Sequence, residues 1–192
     1  MAESVREKKK QQTRKKLIKT ASRLFAEEGF QVSTSKIAQT AGLAHGSLFL
    51  HFPTREDLID TVINNFFKSM NTRIHKVVAN SGTLEEFLAQ HLALLQEKEA
   101  FYTQIITNMT ALPKTTQEKL FGHQSTLSAH LLILLEKEGQ LTGIPPHLLF
   151  NTWLGIIHYY LQNKVMFAPD TSVIERYKDE WIEGYLHLVR KG

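Results

Sequence analysis

There is no cysteine among the 192 residues, which excludes disulfides, thiolate zinc sites and thiol nucleophiles. Proline (5) and glycine (10) are sparse, so neither a collagen-like repeat nor a low-complexity linker is present. No apolar run approaches the ~20 residues needed to span a bilayer. The nearest, "HLLFNTWLGIIHYYLQNKVMF", is interrupted by two His, two Asn, a Gln and a Lys. The amino terminus, "MAESVREKKKQQTRKKLIKTASRLF", is basic but has no uninterrupted apolar core behind it, unlike a secretory signal. A soluble, cytoplasmic chain with no membrane partner is the expectation. Sustained two-residue alternation is missing, so strands are not expected. Gly-x-Ser-x-Gly, phosphate-loop, dinucleotide and His-Glu-x-x-His patterns are missing as well. The Ser beside the His in "HGSL" lies on one short helix, where the two side chains point apart. His123 and His130 stand two helical turns apart, too far for easy shared ligation. No catalytic residue, metal site or cofactor is therefore expected.

What is present is apolar content of 42%, ample for a core, and an uneven charge. Residues 1–60 hold 11 Lys/Arg against 7 Asp/Glu, and residues 61–192 hold 12 of each, so the whole excess of +4 lies in the first third. That distribution suits a polyanion partner, or simply a solvated helix face.

Nearly every segment between turn signals repeats at the helical period. The first helix is expected from about Lys9 to Glu28, with Leu17, Ile18, Ala21, Leu24 and Phe25 as its stripe and Gly29 as its stop. Ser33 or Thr34 caps a second helix ending at Ala41. Gly42 turns the chain into a third, His45 to His51, which Phe52-Pro53-Thr54 closes. Thr54 caps a fourth carrying Leu58, Val62, Phe66 and Met70. Ser81-Gly82-Thr83 precedes a fifth, Leu84 to Lys98, and a sixth covers about Ala100 to Thr110. A seventh runs from Thr115 or Thr116 to Glu138. After Gly143-Ile144-Pro145-Pro146 an eighth runs to about Val165, and a ninth ends near Val189. The prediction is an all-α chain of about nine helices, divided into residues 1–54 and 55–192.

Ala38, Gly42 and Leu48 have the spacing of a helix-turn-helix: a small residue at the crossing, a glycine at the turn, an apolar plug beyond it. "LFAEEGF" followed by "STSKIAQTAGLAHGSLFLHFPTREDLI" resembles the tetracycline-repressor family of bacterial transcription regulators, over roughly residues 12–62. The resemblance implies that His45–His51 is a recognition helix lying in the major groove. Gly46 then permits close backbone approach, and Ser47 and His45 can donate to a base edge or phosphate. His51 resembles a family phosphate contact, and Arg55 stands where the family commonly has Lys, at the fourth helix's amino end. Thr34, Ser35 and Lys36 should touch the backbone across the groove, and Lys8, Lys9 and Lys10, with Arg14 and Lys15, could form an arm along the duplex. Three departures stand out. Phe49 replaces the usual Tyr and cannot offer a phenol to phosphate. Ala44 replaces a Ser or Thr cap. The Gly29–Ile37 segment is one residue shorter than usual.

One recognition helix covers too few base pairs for specificity, so a two-fold dimer on a palindromic operator is expected. The last two helices suit its interface, through Trp153, Ile157 and Tyr160 on one and Trp181 and Tyr185 on the other. Gly155 and Gly184 either let helices cross closely there or serve ordinary packing within the chain. By the resemblance, the fourth to seventh helices enclose a pocket where His91, Tyr102, Asn108, His123 and His130 could orient a small, mostly apolar effector. The function expected is a homodimeric double-stranded-DNA-binding regulator, a repressor released by that effector. The alternative is an effector-independent architectural DNA-binding protein.

Overall fold

A computed structural model describes residues 5–80, 82–139 and 144–189. The helices are α1 (Val5–Glu28), α2 (Thr34–Thr40), α3 (His45–Phe49), α4 (Arg55–Ala79), α5 (Leu84–Gln96), α6 (Glu99–Thr107), α7 (Lys114–Lys137), α8 (Pro146–Gln162), α9 (Lys164–Phe167) and α10 (Val173–Val189), with a 3-10 turn at Met109–Ala111. Among the described residues there is no strand, and the chain is all-α. The expected turn residues Ser81 and Gly143 lie outside the described residues.

The first three helices form a small head. Leu17, Ala21, Leu24 and Phe25 of α1 are buried together with Ile37, Ala38, Leu48 and Phe52. Gly29 (φ +79) ends α1 and Gly42 (φ +64) makes the turn between α2 and α3, a backbone region that a Cβ opposes. Leu43 then donates its N–H to the Ala38 carbonyl at 2.9 Å, closing the turn. Thr54 and Asp57 form a reciprocal capping box at the start of α4, and Thr83 and Glu86 do the same for α5. Each such pair satisfies two otherwise unpartnered N–H groups.

From the head, α4 runs into the larger body, where its main partner is α7. There α10 packs on α5 and α8, and α1 on α6. Glu99, at the start of α6, accepts from the Val173 and Ile174 N–H groups at 3.1 and 3.2 Å and from the Ser172 hydroxyl. One carboxylate thus caps α10 and joins it to α6, where a negative charge also suits the helix dipole.

Several boundaries differ from the sequence reading: α3 ends at Phe49 rather than His51, α5 at Gln96 rather than Lys98 and α6 at Thr107 rather than about Thr110, and two more concern α1 and α8. The first helix starts at Val5 rather than about Lys9, so Lys8 joins Lys9 and Lys10 on the helix. The eighth stops at Gln162 instead of about Val165 because both the backbone N–H and the side-chain amide of Asn163 donate to the Tyr159 carbonyl, at 3.2 and 2.7 Å. An Asn that competes with its own backbone in this way breaks a helix. Residues Lys164–Phe167 form a separate short turn of helix, which brings the count among the described residues to ten.

Candidate nucleic-acid interface

Ser33, not Thr34, caps α2: its hydroxyl accepts from the Lys36 N–H at 3.2 Å. Thr34 is left to face α3, where its hydroxyl lies 3.0 Å from His45 Nε2. That contact joins the first residues of the two crossing helices. Lys36 reaches Glu28 at 2.6 Å, with both side chains about half exposed. A pair this exposed adds little stability and leaves the ammonium free to exchange a carboxylate for a phosphate. Ser35 is exposed beside it.

In α3, Leu48 is fully buried and anchors the helix to the head. The other residues face outward or sideways. A Cβ at Gly46 would meet nothing within 4 Å. Phe49 is 41% exposed, with its ring edge-on to His45 at 5.1 Å. Ser47 is half-buried. Ala44 supplies no side-chain cap, as its chemistry requires.

Past α3, His51 is half-buried. Burial, then the neighbouring charges of Lys10 and Arg14, hold its pKa below the ordinary value. Arg14 in turn lies over the Phe52 ring at 4.7 Å and reaches the Thr61 hydroxyl at 3.5 Å. The basic face of α1 therefore converges on the exit of α3. Lys8, Lys9 and Lys10 are exposed on it.

Arg55 has a duty inside the chain that the sequence did not signal: its guanidinium donates to the Phe30 carbonyl. It ties the turn after α1 to the start of α4. A guanidinium carries five N–H donors, so others remain for a phosphate.

The family model for bacterial regulatory proteins of the tetR family matches residues 17–62, the stretch that holds this head. Over 175 residues the chain is 30% identical to the fatty acid metabolism regulator protein of Bacillus subtilis (strain 168), a match covering 83% of this chain and 90% of that protein. The chain belongs to the tetR family. The transcriptional repressor KstR2 of Mycobacterium tuberculosis (strain CDC 1551 / Oshkosh) is 25% identical over 57% of this chain, and the match spans only 56% of that relative. The fold matches a crystal structure of the regulator FadR from Bacillus subtilis in complex with stearoyl-CoA, with a TM-score of 0.71, 22% identity and coverage of 88% of this chain and 96% of that one.

The five residues read as lining a tetR-type effector pocket have these surroundings. His91 is buried and accepts from the Trp153 indole N–H at 3.0 Å. Burial, and next the proximity of His158, lower its pKa to about 3. Tyr102 is buried with its hydroxyl 2.6 Å from His158 Nε2; burial raises the phenol's pKa and lowers that of His158 to about 4. His123 lies between Asn71 at 2.9 Å and Asn64 at 3.2 Å, stacked on Phe67, and burial lowers its pKa. His130 Nε2 is 3.3 Å from His75 Nδ1. Its pKa is lowered by burial and then by His75. Asn108 borders a cleft of about 200 Å³ between the end of α1, the start of α4 and the end of α6. That is below the ~300 Å³ at which small-molecule pockets usually begin. His158, which the sequence reading missed, carries no local signal: its partner is 56 residues away.

Four of the seven residues expected at a dimer interface are covered within the chain: Trp153, Ile157 and Tyr185 are at most 1% exposed and Trp181 is 5% exposed, so these side chains pack α8 and α10 into their own chain. The Tyr185 hydroxyl donates to the Leu149 carbonyl at 3.0 Å. Tyr160 stacks on Phe167 at 4.1 Å. Gly155 and Gly184 are exposed, and a Cβ at either would meet nothing within 4 Å, so neither serves close packing within the chain. Leu148, Tyr159 and Leu188 are 51%, 57% and 49% exposed. The helical period places Leu148 and Tyr159 with Gly155 on α8, and Leu188 with Gly184 on α10.

Proposed function

We propose that this chain is a homodimeric transcriptional repressor. Its residues 1–54 form the DNA-binding head and 55–192 the effector and dimerisation body. Two copies of α3 enter successive major grooves of a palindromic operator, and a small, mostly apolar effector releases them. The observation that carries this reading is the head itself: Leu48 plugs α3 into the core while Gly46 and its neighbours stand open, beside a cluster of Lys10, Arg14 and His51. Thr34, Ser35, Lys36, His45, Ser47, Phe49 and Arg55 surround that face, with Lys8 and Lys9 farther along α1. The outward faces of α8 and α10, centred on Gly155 and Gly184, form the dimer interface. Retrieval of genomic fragments by the purified chain tests the whole reading: one palindromic sequence should dominate. A chain that retains random duplex equally well is the architectural binder instead.

The effector must bind one conformational state better than the other to shift anything. The name of the Bacillus subtilis relative and the stearoyl-CoA held by the similar structure make acyl thioesters the first class to titrate against the DNA complex. The fourth helix is the lever, since it begins at Arg55 in the head and runs along α7 in the body.

Arg55→Ala should weaken operator and random duplex alike and reduce the salt slope of log K by about 0.9 for each phosphate that the guanidinium neutralises. Because Arg55 also holds Phe30, a thermal melt must accompany the titration; an unchanged slope would mean that Arg55 does not touch a phosphate. Gly155→Arg points a large cation into open space, so each chain should fold normally yet sediment as a monomer. Sedimentation of the variant as a dimer would move the interface elsewhere.

A further inference from the structure

Leu50, the residue that ends α3, is 79% exposed, and neither the helix-turn-helix pattern nor the contacts already described give it a task. Its position explains more than its exposure does. Each residue of a helix turns about 100° from the last, so with Leu48 pointing into the core, Gly46 and Leu50 lie nearest the opposite side. They form the outermost line of α3, one turn apart. His45 and Phe49 flank that line on one side, Ser47 and His51 on the other.

The chemistry of this face is unusual for reading bases. Residues 45–51 contain no Arg, Lys, Asn or Gln, the side chains that fork onto guanine or adenine in the major groove. His45 is already engaged with Thr34, and Ser47 is short. The central group is a hydrocarbon. Only one base presents a hydrocarbon to the major groove, thymine, through its C5 methyl. A large apolar side chain exposed to water gains when that methyl covers it.

Resting on the reading that α3 enters the major groove, we propose that Leu50 is a specificity-determining residue that packs on thymine methyl groups, with Gly46 as the gap that lets it reach them. The operator half-site then carries thymine at the step beneath Leu50, and recognition there depends on shape and methyl contact rather than on paired hydrogen bonds.

The test uses the full-length chain and the duplex it selects from genomic fragments. Replacing single thymines by deoxyuridine deletes the methyl and keeps every hydrogen-bonding group. At one or two positions in each half-site, wild-type affinity should fall about fourfold per methyl. Symmetric replacement in both half-sites should lower it about fifteenfold. Leu50→Ala should bind the thymine and uracil duplexes equally, with an unchanged melting curve, whereas Leu50→Met should keep the preference. The proposal is overturned if no uracil position matters, or if Leu50→Ala retains the full thymine preference. Failure of the wild-type chain to hold any duplex is a different result, seen before any base is changed, and removes the regulator reading together with this one.

Discussion

Between pH 7 and pH 4.5 the chain is expected to lose up to about 5 kcal/mol of folding stability, most of it through two imidazoles, His91 fully buried and His158 partly so. His91 and His158 have pKa values lowered to about 3 and about 4, against an ordinary 6.5. In the unfolded chain both take up a proton as pH falls through 6.5; in the folded chain neither does until far lower. The folded state therefore binds fewer protons over that window. The stability contributed by the neutral rings is fully present above pH 6.5 and is lost as pH falls below it, at about 1.4 kcal/mol per pH unit for each group. The smaller downward shifts of His123 and His130 act in the same direction. A loss of this size approaches the whole stability of many domains. Denaturant titrations at half-unit steps of pH measure it, and His158→Gln, which can still accept from Tyr102, should reduce the slope by close to half. A midpoint that stays flat from pH 7 to pH 5 would show that the rings are not buried neutral.

The same two rings mark where sequence reading runs out. The head is legible because its determinants are local: the stripe from Leu17 to Phe25, the positive-φ glycines at 29 and 42, the cap at Thr54 and the Leu48 plug all act within a few residues. The existence of the longer helices is legible for the same reason, though not that of the short α9. The end of α8 is not legible, because there the Asn163 side-chain amide joins its backbone N–H on the Tyr159 carbonyl, a side-chain detail that periodicity cannot weigh. The choice of Ser33 over Thr34 as cap is another, settled by a contact to His45 on the next helix.

In the body the missing information is pairing. The sequence shows that α8 is apolar almost all round, but not that Tyr185 of α10 packs on Trp153 while Gly155 stays outward. It shows many histidines, but not that Trp153 bonds His91 across 62 positions or that Tyr102 bonds His158 across 56. Those pairings turn candidate ligand contacts into core groups. Leu50 is the opposite case. Its place one turn after Gly46 and opposite Leu48 can be read from the wheel of the helix, and only its lack of a polar group kept it from being considered.

Gly46→Ala should separate the fold of the head from its use. The added methyl enters open space in the free chain, with nothing within 4 Å, and alanine is up to about 1 kcal/mol better than glycine inside a helix. The melting temperature should therefore hold or rise. On DNA the same methyl stands on the outermost line of α3 and keeps it from the base edges. Affinity for the selected operator should fall at least tenfold, the loss expected when roughly one base-specific interaction is removed. Random duplex, held mainly through phosphates, should be affected less. Gly42→Ala is the control with the reverse pattern: φ at that turn is +64, a conformation costing an L-residue roughly 1–2 kcal/mol, so it should destabilise the head. Anisotropy titrations and melts on the two variants decide the matter. An operator affinity for Gly46→Ala within twofold of wild type would mean that α3 does not approach the bases closely.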